Sequence, residues 1–136
     1  MSSIIVAFSK RENAVNIRNI LAKSGIEVSA VCLSGAKVLQ YAEMCSDGIV
    51  ICGHRMQDMQ YTELREYLPA GIEMLLLAPP DIWMNGLPDG VMGLSMPLKI
   101  YDLINTLEMM QETQNRKRRK RRETGKKRNE DERRTI

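Results

Sequence analysis

Gly48-Ile49-Val50-Ile51-Cys52-Gly53 is the stretch that most constrains what this chain can fold into. An apolar run this short, rich in β-branched residues and closed by glycine and then polar residues, reads as a strand buried on both faces. Strands of that kind belong to parallel sheets with helices on each side. In an open α/β sheet the carboxyl end of such a strand borders the crevice where ligands or chemistry are found. Here that end carries Cys52 and Gly53, followed by His54-Arg55-Met56-Gln57-Asp58-Met59. Neither Cys52 nor Gly53 is an acid or a conventional base, so a fold built for a site carries an altered one.

The rest of the chain repeats one unit. Residues 3–8 read as a buried strand, and Ser9 with Glu12 three residues on has the spacing of a helix-opening capping box. Ala14, Val15, Ile17, Ile20 and Leu21 follow mostly along one helical face, with Gly25 as the stop. Residues 27–33 are the second strand and 36–45 the second helix, with Val38, Tyr41, Ala42 and Cys45 facing inward. After the opening stretch come a helix at 61–68, a strand at 72–78 stopped by Pro79-Pro80, and at most two turns of helix within 81–87. A fifth strand at 91–95 precedes a helix from Lys99 with Ile100, Leu103, Ile104 and Leu107 at helical spacing. Five strand-plus-helix units with right-handed crossovers predict a doubly wound, flavodoxin-like α/β fold with a five-stranded parallel sheet.

The three cysteines, Cys32, Cys45 and Cys52, are spread out and odd in number, so neither a disulfide framework nor a zinc site is expected. A reducing, cytoplasmic setting follows, with no export signal and no stretch of membrane-spanning length. Charge is uneven. Residues 1–110 hold 8 Lys and Arg against 12 Asp and Glu, whereas 111–136 hold 12 against 5. Only the tail is a plausible partner for a polyanion.

Over roughly residues 3 to 110 the chain resembles the receiver domain of two-component response regulators. Gly53-His54-Arg55-Met56-Gln57-Asp58-Met59 is similar to the Asp-Ile-Arg-Met-Pro-Asp-Met loop after the receiver's third strand. Residues 4–9 look like its first strand with the acidic pair, Leu77-Ala78 like the Thr/Ser-Ala pair, and Met96-Pro97-Leu98 like the Lys-Pro-Phe turn. The family's chemistry uses two acids and a phosphoacceptor Asp to bind Mg²⁺, a Lys on the phosphoryl group, and a Thr or Ser that follows it. Those places fall here on Phe8, Ser9, Gly53, Met96 and Leu77, so neither a metal nor a cofactor is expected. Moving the third-strand register by one residue puts Cys52 at the acceptor position, which is no better.

The resemblance also implies an output and dimerisation face formed by the fourth helix, fifth strand and fifth helix. The fourth helix looks about one turn short. Trp83 and Met84 then either leave an apolar patch on that face or, for Trp83, close over the sheet end.

The last helix has no evident stop before Arg116-Lys117-Arg118-Arg119-Lys120-Arg121-Arg122. Seven consecutive cations repel one another, and no apolar residue lies between Met110 and Ile136 to give the segment a core face. Residues 111–136 are therefore expected to form a basic linker, helical or disordered, beyond a receiver-like domain at 1–110. Glu132-Arg133-Arg134-Thr135-Ile136 resembles the opening of the RNA-binding domain of the ANTAR antitermination regulators, as if the chain stopped before its output module. No aromatic residue lies among the cations, so contact with RNA through them would be salt-sensitive and poor in sequence discrimination.

The expected function is a non-phosphorylatable, receiver-like regulatory and dimerisation module, acting in transcription antitermination through RNA. The alternative is a protein-interaction adaptor with no nucleic-acid role. Cys52 beside His54 raises a Cys nucleophile, but no third group is evident to orient the histidine, and a buried Cys is usually a small apolar filler. No enzyme is expected.

Overall fold

The computed structural model describes residues 3–134, with side chains as far as Lys117. Ten elements alternate along it: β1 (Ser3–Ala7), α1 (Arg11–Lys23), β2 (Ala30–Cys32), α2 (Gly35–Ala42), β3 (Gly48–Cys52), α3 (Tyr61–Tyr67), β4 (Ile72–Ala78), α4 (Pro80–Trp83), β5 (Val91–Ser95) and α5 (Ile100–Arg134). All strand pairs are parallel and the sheet order is β2-β1-β3-β4-β5. The predicted five-stranded doubly wound fold is the one observed, and β3 is buried along its whole length.

Period-two alternation divides the core between the two faces of the sheet. Ile49 and Ile51 of β3 join Ile4, Val6, Leu75 and Leu77 under α1 and α5. Val50 and Cys52 join Ala7, Met74 and Leu76 under α2 and α3. Helix α1 contributes Ala14, Ile17 and Leu21, and α5 contributes Leu103, Leu107 and Met110. Successive connections from β1 run in opposite directions, to β2 on one side and, after it, to β3 on the other. The carboxyl ends of β1 and β3 therefore flank the switch point of the sheet.

Local chemistry fixes the helix ends. Gly25, at φ 79, closes α1: its N–H donates to the Ala22 carbonyl while the Ile26 N–H reaches Leu21. This pair of bonds is a Schellman stop, and glycine takes its left-handed position without a Cβ penalty. Ser9 does not open the helix as expected. The cap position is Lys10, which has extended φ and ψ and offers no side-chain cap. Ser9 lies one residue too early, and its carbonyl instead accepts the Gln57 side-chain amide at 3.2 Å.

Other expectations shift in extent. Strand β2 has three residues where seven were expected, because this edge strand pairs with β1 only from Ala30 to Cys32. Helix α2 ends at Ala42, so Tyr41 points outward, 41% exposed, and the buried series is Gly35, Val38 and Ala42. Helix α4 is a single turn that buries none of its residues fully. Trp83 nevertheless turns back over the sheet: its indole lies against Gly93, and Nε1 donates to the Ala78 carbonyl at 3.3 Å. Met84 remains 76% exposed.

Candidate functional site

The loop after β3 sets the geometry at the carboxyl end of the sheet. The β1–β3 register pairs Ala7 with Cys52, which brings Phe8 opposite Gly53, and the Gly53 N–H donates to the Ala7 carbonyl at 3.2 Å. Beyond Gly53 the chain folds on itself. The Met56 N–H reaches the Met59 carbonyl at 2.8 Å, the Tyr61 N–H reaches His54, and the Gln57 N–H reaches Leu33 at the end of β2. Each of these bonds satisfies backbone that a surface loop would otherwise leave to water, and together they hold the loop in one shape.

The residues that carry the resemblance in this loop serve the scaffold. Met56 is a core plug, 2% exposed. Asp58 accepts the Gly35 N–H at 2.6 Å and the Ala36 N–H at 3.1 Å, while the Ser34 hydroxyl accepts from Lys37. Three otherwise unpaired amides in the first turn of α2 are thereby satisfied. Burial alone would raise the Asp58 carboxyl, but hydrogen bonds from the backbone of Gly35, Ala36 and Asp58 itself outweigh it and hold it below its ordinary value. Met59 lies where a Cβ on Gly35 would be, so the loop and α2 approach closely through a glycine.

The five positions singled out in the sequence, Phe8, Ser9, Gly53, Leu77 and Met96, all line one cavity of about 630 Å³. Phe8 and Ser9 follow β1, Gly53 follows β3, Leu77 is near the end of β4, and Met96 follows β5, joined to Pro97 by a cis peptide. Helix α1 supplies Asn13, Asn16, Ile17 and Ile20, and Leu98 and Ile100 close the side toward α5. His54 and Arg55 stand at the rim, both exposed. The cavity is half open and chiefly apolar, and its lining holds no Asp or Glu.

Mg²⁺ needs hard oxygen ligands, normally including one or two carboxylates. Phe8, Ser9 and Gly53 bring none, so the residues present do not fit that ion. A side chain is also unwelcome at Gly53: a Cβ there would sit 3.1 Å from Phe8 Cδ1. Phe8 and Gly53 are thus matched, the ring occupying the space a side chain at residue 53 would enter. Cys52 and His54 are not brought together. Cys52 is fully buried in the cluster under α2 and α3, where burial pushes its thiol up to about 12, whereas His54 lines the cavity rim. At neutral pH that thiol is not the nucleophilic thiolate.

The basic run begins in a defined setting. Arg116 pairs with Glu112 at 2.6 Å, and Lys117 lies 3.6 Å from Glu73 on β4. The side chains of Arg118, Arg119, Lys120, Arg121 and Arg122 lie outside the described residues, as do Thr135 and Ile136. Just before the run, Gln114 is 5% exposed and its amide donates to the Gly48 carbonyl at 2.7 Å and the Gly71 carbonyl at 3.5 Å. The segment after Met110 therefore does have a core face, contrary to expectation, and a glutamine supplies it. Leu103, Leu107, Met110 and Gln114 are spaced by four, three and four residues. That spacing extends the apolar stripe by one polar member and was the available signal. Asn13 and Asn16 were likewise missed, although they precede Ile17 and Ile20 on a single helical stripe.

No family model matches the chain, and the comparison with curated proteins gives no match. Solved structures do match. A CheY-like response regulator receiver domain from Methanospirillum hungatei superposes with a TM-score of 0.65 at 16% identity, over 85% of this chain and 98% of that one. The signal receiver domain of an HD domain-containing protein from Pseudomonas fluorescens gives 0.71 at 18%, covering 86% and 91%. A response regulator receiver protein from Sinorhizobium medicae gives 0.64 at 17%, covering 83% and 96%. Among the described residues, no helix is long and apolar enough to cross a membrane. The fold of this chain is that of response regulator receiver domains.

Proposed function

We propose that this chain is a regulatory module with a receiver fold that works without aspartyl phosphorylation, and that its basic helix meets RNA in transcription antitermination. One observation carries the first half. The five positions that would hold receiver chemistry converge on one cavity, and none brings a carboxylate or an ammonium group to it. The second half is supported by charge: 12 Lys and Arg against 5 Asp and Glu in residues 111–136. A continuous helical backbone from Ile100 to Arg134 carries all of them. Such a segment binds phosphates by counterion release and falls off steeply with salt. The face of α4, β5 and α5, with Met84 and Tyr101 exposed, is where a second copy docks.

The adaptor reading keeps one observation in its favour, since Arg116 and Lys117 are occupied by Glu112 and Glu73. Exposed ion pairs of this kind are weak, on the order of 0 to 1 kcal/mol, and yield to phosphate. The test treats the full chain with acetyl phosphate and Mg²⁺, then follows mass, sedimentation and anisotropy with an RNA hairpin across a salt series. Unchanged mass, a dimer with or without the reagent, and salt-sensitive RNA binding are expected. A phosphorylated species would overturn the first half; a monomer would remove the docking face; no RNA binding at low salt would leave the adaptor.

A further inference from the structure

The cavity that replaces receiver chemistry has the makings of a binding site in its own right. Its volume of about 630 Å³ lies inside the range of roughly 300 to 1,000 Å³ typical of small-molecule pockets. Its walls are apolar, from Phe8, Ile17, Ile20 and Leu77, and its polar groups gather at the α1 and loop side. Among the described residues, the side chains of Asn13, Asn16 and Arg55 have no hydrogen-bond or ion-pair partner within the protein. With no acid in the lining, the one formal charge there is the Arg55 guanidinium. The first turn of α1, to which Asn13 belongs, has no capping side chain, so its amide dipoles favour a negative group on the same side.

We propose that this cavity binds a small amphipathic carboxylic acid, its apolar body against Phe8, Ile17, Ile20 and Leu77 and its carboxylate at Arg55. The guanidinium fork matches a carboxylate in two parallel hydrogen bonds, and the amides of Asn13 and Asn16 supply further donors. An inorganic anion would leave the apolar walls wet, and a neutral hydrocarbon would leave Arg55 unanswered. A cation would meet Arg55 with no acid to offset it. The proposal rests on the reading that this end of the sheet takes no phosphoryl group. It makes the acid the input that phosphorylation supplies elsewhere.

Backbone NMR of the full chain tests it, with octanoate and phenylpropionate as probes and octanol and octylamine as matched controls. Both acids should shift the amides of residues 8, 13, 16, 53–55 and 98–100, with octanoate bound about tenfold tighter than octanol. Octylamine should bind least. Arg55→Gln should bring octanoate to the level of octanol, and Ile20→Trp, which fills the cavity, should abolish binding of both. Arg55 is exposed and unpaired, so its variant keeps the fold. Absence of cavity shifts with both acids, equal binding of octylamine, or an unaffected Arg55→Gln would overturn the proposal. Exposure of the same samples to acetyl phosphate separates the two failures. An unmodified chain that ignores both acids sinks the acid site alone, and a phosphorylated chain that still binds octanoate sinks the phosphate-independent reading alone.

Discussion

The two ends of the sheet are finished in opposite ways. At the carboxyl end, Phe8, Gly53, Leu77 and Met96 surround a half-open apolar cavity, and the polar groups at its rim are unsatisfied by the protein. At the amino end, the Gln114 amide reaches into the chain to answer the carbonyls of Gly48 and Gly71. One end stays open, and the other is closed by the protein's own helix. The same helix touches both. Ile100, its first residue, lines the cavity, and Gln114 lies 14 residues on, about 21 Å at 1.5 Å per residue. The basic run starts two residues after the lock, so the amino end fixes the direction in which the cations leave the domain.

The largest effect expected from breaking this arrangement lies between the two ends, where α5 is buried. Leu103 is 0% exposed, and Leu103→Ala should cost about 3 kcal/mol, from lost transfer energy plus the void left behind. Ile20, which faces the open cavity, should lose under about 1 kcal/mol on the same truncation, because no closed void is created there. Urea unfolding of the two variants decides the contrast. Equal losses would mean that the carboxyl end is packed shut.

Next in size is the lock itself. Gln114→Glu keeps the shape but turns an oxygen toward two carbonyl oxygens where an N–H had donated. A cost of about 2 kcal/mol is expected, as for a buried acceptor left without its donor. Gln114→Ala should cost less than the glutamate variant, since it adds no buried charge. Hydrogen exchange should localise both losses to the amino end, at the amides of β3 and β4 and of α5 after Met110. A loss spread evenly over the domain would mean that Gln114 does not hold the helix in place. Gln114 Oε1 is buried without a partner, so part of the side chain's value is already forfeited in the native protein.

Much of this was legible in the sequence. The unbroken Ile49-Val50-Ile51-Cys52 run and the turn residues between periodic segments pointed to a doubly wound five-stranded parallel sheet. Phe8, Ser9, Gly53, Leu77 and Met96 were singled out through the resemblance to receivers, whose site positions fall on them, and they do line one cavity. What stayed hidden depended on partners distant in the chain. Nothing local to Gln114 says that its amide answers Gly48 and Gly71, 66 and 43 residues away. Nor does the Ser9 to Glu12 spacing reveal that the Ser9 carbonyl is claimed by Gln57, 48 residues on. Tyr41 was misplaced because α2 stops at Ala42, and a helix of eight residues has too few turns for periodicity to fix its buried face.

The smallest expected effect belongs to the carboxyl end and concerns the residue most easily mistaken for chemistry. Asp58 lies in the loop segment most similar to receivers, yet its carboxylate answers the amides of Gly35 and Ala36. Asp58→Ala should cost about 1 kcal/mol, the ordinary size of a lost helix-capping bond, reduced by the exposure of the side chain. The pH dependence separates this role from a functional one. The folded carboxyl is held below its unfolded value, so the folded state binds the proton less readily than the unfolded chain does. The stabilisation is therefore fully present above the unfolded value of about 3.9 and is lost as pH falls through the lowered folded value. Unfolding free energies of the wild type and the alanine variant should differ by a constant amount from pH 7 to about pH 5, then converge as pH falls below the unfolded value and through the lowered folded one. A gap that persists into acid would mean that the carboxylate is not what holds the first turn of α2. The loop's resemblance to receivers would then need another physical cause.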